Sequence, residues 1–461
     1  MKRFFFFVLT STWVIVATAG CAHHDVNQRL KQVDPQSGYR ARYMGSPGNS
    51  ENLLLYLTFS GGGTRAAALS YGVLEELRKT EVVIAGKKRC LLDEVDGISG
   101  VSGGSFTAGY YGLFGDRIFE DFESKFLKKN IQGALLLGVL NPLNWVKLFS
   151  GMFGRSDLSA QYYDKHIFEG KTFGDIAARK GPIIVINVTD MSYGTRIGFT
   201  QDAFDLICSD VSSYPVAKAA AASSAVPMVL SPITLRNYAG TCGYKIPEGF
   251  EEMLKSRAVS ERQFYLANNL SVYLDAKKKP YIHLVDGGVA DNLGLRAILD
   301  RVLLQGSVWK LIKGTPREKV QKVVLMVVNA ETEPDKKWDR IEKIPPFGAM
   351  FSAYSSIALE RYNQETLALL KESVKSWANE IKTERCKGGV VSSEPGSCGD
   401  IEFYVVEVKF DALRDETERM YFKRFPTSFK LAPEKVDQLR DVAHRILVES
   451  EEFQRLLRDL R

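Results

Sequence analysis

The chain has 461 residues, of which 45% are hydrophobic and 25% charged, within the range of ordinary globular proteins. It is long enough for one large or two medium domains. The formal net charge is +6, and it falls to +4 if an N-terminal segment that carries Lys2 and Arg3 is removed. So small an excess of basic residues argues against nucleic acid as a partner.

The N-terminus reads MKRFFFFVLTSTWVIVATAGC, with a basic start, an apolar stretch and small residues before Cys21. This layout is typical of a secretory signal. TAGC resembles the lipobox of bacterial lipoproteins, in which the cysteine becomes the lipidated first residue, although Thr18 stands where leucine is common. We therefore predict a signal peptide over residues 1–20, lipid attachment at Cys21 and a polar tether over residues 21–50. An uncleaved membrane anchor and ordinary secretion remain alternatives.

The residue after the lipobox cysteine bears on location. It is Ala22, whereas the retention signal for the inner membrane in lipoproteins is an aspartate at this position. The resemblance therefore implies a lipoprotein of the outer membrane that faces the periplasm, if the host has an outer membrane.

Five of the six cysteines lie beyond the lipobox. Export would place them in a compartment that allows disulfides. Cys386 and Cys398, which close a Gly/Ser-rich loop, are the first pair expected, and Cys208 with Cys242 is a second, which leaves Cys90 free. No CxxC or histidine-rich spacing indicates zinc, and we expect no cofactor.

From residue 53 onwards, apolar runs typical of buried strands alternate with segments of helical spacing. The predicted strands are LLLYLTFS, DEVDGISG, PIIVINVTD, YIHLVDGG, KVVLMVVNA and IEFYVVEVKF. Strands that alternate with helices predict an α/β fold with a parallel sheet, whose ligands bind where the strands end. We expect one domain over residues 51–461, with a motif core at 53–329 and a C-terminal extension at 330–461.

The motif SGGGTR is a glycine-rich turn between the first strand and a helix. Such a turn directs unpaired backbone N–H groups at an anion. The dinucleotide fingerprint GxGxxG is not matched, and the lysine of a phosphate-binding P-loop is missing. The remaining use is an oxyanion hole made by Gly61, Gly62 and Gly63. A turn that needs glycine only for its backbone angles is the alternative.

A second glycine-rich turn, GVSGG, places Ser102 between Gly100 and Gly104. It fits the nucleophile elbow GxSxG, in which a β-carbon on either flanking residue would collide with backbone. The pattern also occurs by chance. Two strand-to-helix turns, one offering N–H groups and the other a serine, together predict acyl transfer chemistry.

A nucleophilic serine needs a base. Four of the five histidines lie in the tether, in a charged C-terminal helix or in a segment without acidic or glycine neighbours: His23, His24, His444 and His166. His283 lies three residues before Asp286, and residues three apart point to opposite faces of a strand. Asp286 ends its strand and precedes two glycines that would let a substrate approach. We therefore predict a Ser–Asp dyad.

The blocks SGGGTR, GVSGG, AASSAVPMVLSP and VDGGVADN resemble, in order and spacing, those of the patatin-like phospholipases. The resemblance implies a three-layer α/β/α fold with a mostly parallel sheet, an oxyanion loop at Gly61–Gly63, Ser102 as nucleophile and Asp286 as base. The residues that support these motifs are Arg65, at the loop's basic position, Gly100, Gly104, Gly287, Gly288 and Pro227, which resembles a buried structural proline. Ser60 stands where many members have aspartate.

The resemblance implies a serine lipid acyl hydrolase of the phospholipase A, lysophospholipase or esterase type. Its substrate would be a lipid or acyl ester, and the N-terminal lipid would hold it on the membrane. The competing class is a non-catalytic lipid-binding or envelope-assembly protein that keeps the fold. The intact serine, aspartate and oxyanion glycines count against that class.

Two further segments bear on membrane contact. Residues 131–154 hold many aliphatic and aromatic side chains and one charge, Lys147. As an exposed flap this segment would suit contact with lipid, with Trp145 and Phe149 in the headgroup zone, and as core packing it would be unremarkable. The last segment, from Pro433 onwards, has apolar residues at helical spacing and predicts one docked amphipathic helix.

Overall fold

A computed structural model describes residues 27–40, 48–84, 86–227, 229–247, 249–255, 257–258, 260–333, 337–387 and 401–460. The predicted signal peptide, Cys21, residues 22–26 and 41–47 of the predicted tether, and Cys398 lie outside the described residues. The tether prediction is wrong for residues 27–40, which pack on the domain: the buried Tyr39 hydroxyl donates to the Ile184 carbonyl over 3.0 Å, and Arg40 forms an ion pair with Asp205 over 2.8 Å. The lipid attachment and the pairing with Cys398 therefore stay predictions.

The sequence alternates between strands and helices, as its hydrophobic pattern predicts. The strands are β1 (Leu53–Phe59), β2 (Glu81–Ile84), β3 (Lys87–Cys90), β4 (Val95–Val101), β5 (Ile183–Asp190), β6 (Arg196–Gly198), β7 (Ile233–Arg236), β8 (Tyr281–Asp286), β9 (Lys322–Asn329) and β10 (Glu402–Lys409). The helices are α1 (Gly63–Lys79), α2 (Gly103–Phe114), α3 (Ile118–Phe122), α4 (Ile131–Leu140), α5 (Pro142–Leu148), α6 (Arg155–Tyr163), α7 (Phe173–Arg179), α8 (Gln201–Phe204), α9 (Val216–Ser223), α10 (Phe250–Lys255), α11 (Glu261–Ser271), α12 (Gly288–Asp291), α13 (Arg296–Gln305), α14 (Val308–Ile312), α15 (Phe347–Lys387), α16 (Glu416–Lys423), α17 (Pro433–Glu449) and α18 (Glu451–Asp459). The six predicted strands correspond to β1, β4, β5, β8, β9 and β10.

The central sheet has eight strands in the order β10-β9-β1-β4-β5-β8-β7, with β6 on β5. The five strands from β10 to β5 are parallel, whereas β8 runs antiparallel to both β5 and β7. Every residue of β4 and β5 is buried, which explains why these strands are apolar without alternation. The predicted α/β fold with a mostly parallel sheet is confirmed.

Helices cover both faces of this sheet. Leu55 and Leu57 of β1 belong to one core with residues of α1, α2 and α17, whereas Tyr56 belongs to another with residues of α13, α14 and α15. Because successive side chains of a strand point to opposite faces, the two cores lie on the two sides of the sheet. The architecture is therefore three layers, α/β/α.

The C-terminal segment differs from its prediction in one respect. The apolar residues Val436 and Leu439 are buried, as expected of a docked amphipathic helix. The single helix is however wrong, because Ser450 leaves the helical conformation with ψ at 119° and caps α18 by accepting a hydrogen bond from the Phe453 N–H. Serine favours such a cap over a helix interior.

The cysteines partly follow the expected pattern. Cys208 and Cys242 form a disulfide, and Cys90 is free. Cys386 is also disulfide-bonded. Within the part of the chain that the structure describes, no helix has the length and apolar character needed to cross a bilayer.

Candidate active site

Ser102 lies at the sharp turn from β4 into α2. Its φ of 47° and ψ of −119° fall in a region that residues other than glycine rarely adopt. A β-carbon on Gly100 would lie 2.8 Å from the Ser105 Cα, and one on Gly104 would lie 2.6 Å from the Phe59 carbonyl oxygen. The turn therefore has the tight geometry of a nucleophile elbow, and glycine is required on both sides for the predicted reason.

Ser223 supports this turn, and the sequence analysis did not identify it. The Ser102 N–H donates to Ser223 Oγ over 2.8 Å, and Ser223 Oγ donates to the Asn187 carbonyl over 2.6 Å. The Gly287 N–H donates to the Ser223 carbonyl over 3.1 Å. Ser223 therefore ties the elbow, β5 and the loop after Asp286 together. Ser223 lies in the block AASSAVPMVLSP, and this is the sequence feature that could have identified it.

Strand pairing brings Asp286 beside Ser102. Val101, next to the serine, pairs with Asn187 on β5, and Asp286 pairs with the adjacent Val188. The Ser102 hydroxyl lies close enough to the Asp286 carboxylate to lower the pKa of that group. Because β8 is antiparallel to β5, it carries the aspartate to the same level of the sheet as the serine.

The Asp286 carboxyl is buried, and burial raises its pKa to about 6. Two neighbours oppose this shift: the Gly288 N–H donates to Asp286 Oδ1 over 2.8 Å, and the nearby Ser102 hydroxyl also lowers the pKa. At neutral pH the group is mostly a carboxylate, with a proton affinity much higher than that of an ordinary aspartate. Such a pKa suits a general base.

The three described histidines have other neighbours. His283 Nδ1 lies 3.0 Å from Thr234 Oγ1 on β7. The ring of His166 packs on Tyr162 with its centroid 4.5 Å away, and His444 contacts Glu76 on α1. No hydrogen bond in the described part of the chain joins any of these rings to Ser102 or Asp286, so the arrangement of a Ser–His–Asp triad is not present among them.

The glycine-rich loop between β1 and α1 faces the elbow. Gly62 and Gly63 have φ of 142° and 61°, which only glycine adopts readily. Neither of their N–H groups donates to any described residue, and the same holds for Gly103 N–H after the serine. The Gly61 N–H differs, because it donates to the Asn292 carbonyl over 3.0 Å. The prediction of three oxyanion donors is therefore wrong for Gly61, whose N–H already has an acceptor.

Arg65 has contacts within the protein. It is buried, and it donates to the Ala330 carbonyl and to Thr427 Oγ1, both over 3.1 Å, and to the Phe425 carbonyl. Burial lowers its pKa to about 10. The guanidinium therefore holds the start of α1 against the C-terminal extension.

Three other motif residues have surroundings that the sequence did not predict. A β-carbon on Gly287 would lie 2.2 Å from the Asn187 carbonyl oxygen, so this glycine is needed for packing rather than for approach of a substrate. Pro227 is exposed, so the expected buried proline is wrong. Ser60 replaces the frequent aspartate, and its Oγ accepts from the Ala330 N–H over 2.9 Å.

Among the described residues, no group of histidine, cysteine, aspartate and glutamate is arranged to hold a metal ion.

The sequence of residues 57–299 matches the family model of patatin-like phospholipases. This match covers more than half of the chain, which therefore belongs to the family of patatin-like phospholipases. Comparison with curated protein sequences gives no match.

The fold is similar to that of human GIVD cytosolic phospholipase A2, at 13% identity and a TM-score of 0.45 over 89% of this chain and 62% of that one. The chain thus spans less than two thirds of the human protein's length. VipD from Legionella pneumophila is similar at 14% identity and a TM-score of 0.28, over 91% of this chain and 71% of that one.

Proposed function

We propose that this protein hydrolyses acyl esters of lipids with Ser102 as nucleophile and Asp286 as general base. The observation that carries the proposal is the position of the Ser102 hydroxyl beside a buried carboxylate whose pKa is raised to about 6. The unpaired N–H groups of Gly62 and Gly63 lie on the adjoining loop. A serine, a buried carboxylate and free backbone N–H groups side by side support these assignments.

The reaction would proceed in two halves. Ser102 Oγ attacks the ester carbonyl carbon as Asp286 accepts the hydroxyl proton. Gly62 and Gly63, together with the Gly103 N–H after the nucleophile, donate to the oxygen on which negative charge develops. The intermediate expels the alcohol, which takes the proton from Asp286. Water, deprotonated by Asp286, then attacks the acyl carbon; the bond to Ser102 Oγ breaks, Oγ takes the proton back from Asp286, and the fatty acid is released.

The substrate class follows from the family and from the predicted anchor. Acyl esters of phospholipids, lysophospholipids or simpler esters all present the carbonyl that this chemistry needs. A lipid on Cys21 would tether the enzyme to the bacterial envelope, on the periplasmic side of the outer membrane. Because residues 27–40 pack on the domain, Cys21 is separated from Asn27 by at most about 20 Å of extended chain, so the lipid would hold the domain close to the membrane surface.

An assay of the purified protein against short-chain esters, long-chain esters and phospholipids tests the catalytic part. We expect release of fatty acid by the wild type. Binding of phospholipid without any release would instead indicate the non-catalytic lipid-binding class.

The anchor has its own test. Metabolic labelling with alkyne-palmitate should mark the wild type and not Cys21→Ser, which should remain as an uncleaved, membrane-bound precursor. Equal labelling of both forms, or recovery of the wild type as a soluble periplasmic protein, would show that the anchor is assigned wrongly.

A further inference from the structure

Residues 131–154, here called the apolar hairpin, contain α4 and α5 and expose large hydrophobic side chains. Leu136, Leu137, Leu140, Leu143, Trp145, Val146, Phe149 and Met152 are 44–83% exposed. Ile131 is the only buried residue in α4, and α5 has none. Helices that are apolar on all sides are normally buried in a core or in lipid, so the interpretation of this segment as core packing is wrong.

The apolar hairpin has a defined internal structure. The side chains of Asn144 and Trp145 on α5 donate to the carbonyls of Gly138 and Val139 on α4, over 2.8 and 3.1 Å. Asn130 Oδ1 caps α4 by accepting from the Gly133 N–H over 2.8 Å. The exposed side chains are therefore displayed on a fixed hairpin.

The first end of the hairpin is fixed beside the oxyanion loop. The Gln132 N–H donates to the Phe429 carbonyl over 3.1 Å. The preceding residue, Ser428, accepts from the Thr64 N–H over 2.9 Å, and a β-carbon on Gly63 would lie 2.5 Å from the Ser428 carbonyl oxygen. One short segment of chain thus joins the hairpin to the glycines of the site.

The second end is fixed beside the base. The Ser156 N–H donates to Ser231 Oγ over 3.1 Å. The loop that ends at Ser231 begins at Ala225, whose carbonyl accepts from the Asp286 N–H over 3.0 Å. This loop and the turn after Asp286 add three more exposed apolar side chains, Val226 at 39%, Val229 at 64% and Val289 at 58%. Exposed apolar side chains therefore lie both on the hairpin and on the segments next to the dyad.

Three exposed lysines lie on or near this surface. Lys129, Lys147 and Lys165 are exposed, and none of them forms an ion pair with an acidic residue in the described part of the chain. Burial lowers the pKa of His166, and the nearby Lys129 and Lys165 lower it further. An anionic lipid surface would neutralise such lysines, whereas a second copy of the chain packed on the same patch would bring like charges together.

We propose that the apolar hairpin docks the enzyme on an anionic phospholipid bilayer, with Trp145 at headgroup depth and the dyad facing the membrane; this rests on the function proposed above. Burial of the exposed side chains favours insertion, and tryptophan and lysine are the residue types preferred at the interface. Substrate would then pass from the bilayer to Ser102 along apolar side chains.

The test uses the full-length protein reconstituted in vesicles of phosphatidylethanolamine and phosphatidylglycerol with brominated acyl chains. A Ser102→Ala background keeps the lipid intact. Bromine should quench tryptophan fluorescence. The difference in quenching between this protein and its Trp145→Phe variant measures the quenching of Trp145. Val146→Asp should reduce the quenching of Trp145, because it places a charge in the interface. Val83→Asp is the matched control, since Val83 is 42% exposed against 44% for Val146 and lies beyond the far end of α1.

With Ser102 intact, Val146→Asp should lower vesicle hydrolysis about tenfold and leave hydrolysis of a soluble short-chain ester unchanged. Unquenched Trp145, or equal effects of the two aspartate variants, would overturn the docking proposal. So would a dimer that Val146→Asp converts to a monomer. Quenching without hydrolysis of either ester would leave docking in place and refute the proposed catalysis.

Discussion

Gly103 packs directly on Gly63: a β-carbon on Gly103 would lie 2.0 Å from the Gly63 carbonyl oxygen. The residue after the nucleophile and the last glycine of the loop are thus in backbone contact. The elbow and the loop therefore form one unit, in which the position of one turn sets that of the other.

Substitution of Gly103 tests this contact. The new side chain of Gly103→Ala must push the loop away, which would misplace the N–H groups of Gly62 and Gly63. We expect kcat to fall by about a hundredfold, the scale for loss of an oxyanion donor. Gly348→Ala is the control, because a β-carbon there meets nothing within 4 Å. Unchanged kcat in a folded Gly103→Ala protein would contradict the proposed oxyanion hole.

The backbone of Ser102 should carry strain that glycine relieves. With φ at 47°, a side chain at this position costs about 1–2 kcal/mol. We therefore expect Ser102→Gly to be at least as stable as Ser102→Ala in urea unfolding, although glycine usually lowers stability by about 1 kcal/mol within a helix. Ser105 in α2 has no positive φ, so Ser105→Gly should be less stable than Ser105→Ala. If the glycine variant were less stable than the alanine variant at both Ser102 and Ser105, the backbone of Ser102 would not be strained.

The pH dependence of hydrolysis should report Asp286. Burial disfavours the carboxylate, so its pKa is raised from 3.8 to about 6. Only the deprotonated form can accept the Ser102 proton, so kcat/KM should be constant above this pKa and fall about tenfold per pH unit below it. A profile that stays flat down to pH 4, measured with a soluble ester on folded protein, would be incompatible with this base.

Much of the fold and site could be predicted because their signals are local. Buried strands such as β5 are continuous apolar runs, and the motifs around Ser102 and Asp286 are short turns whose glycines are dictated by close backbone contacts. Parallel strands then bring their carboxyl ends together without further information.

What could not be predicted depends on distant partners. Arg65 binds Thr427, 362 residues away, and the Gly61 N–H finds an acceptor at Asn292. No local pattern specifies such pairs. The sequence therefore predicts Arg65 only as the basic residue of the loop, and it predicts Gly61 as an oxyanion donor only because its neighbours are glycines. The exposure of residues 131–154 was also undetermined, since the same apolar composition suits a core or a lipid surface.

A comparison of base candidates separates a dyad from a triad. We expect Asp286→Asn to lose activity by about a hundredfold or more, the usual scale for removal of a general base. His283→Ala and His166→Ala should keep their activity, because neither ring contacts the serine. A comparable loss in a well-folded His283→Ala protein would show that the base is assigned wrongly.

The most direct test of the central claim is covalent labelling with a fluorophosphonate, followed by mass spectrometry of the peptide that contains Ser102. We expect one label per wild-type chain, on Ser102, and no label on Ser102→Ala. The rate of labelling of Asp286→Asn should be lower by about a hundredfold or more. A label on another residue, or ester hydrolysis by Ser102→Ala at the wild-type rate, would contradict the central claim.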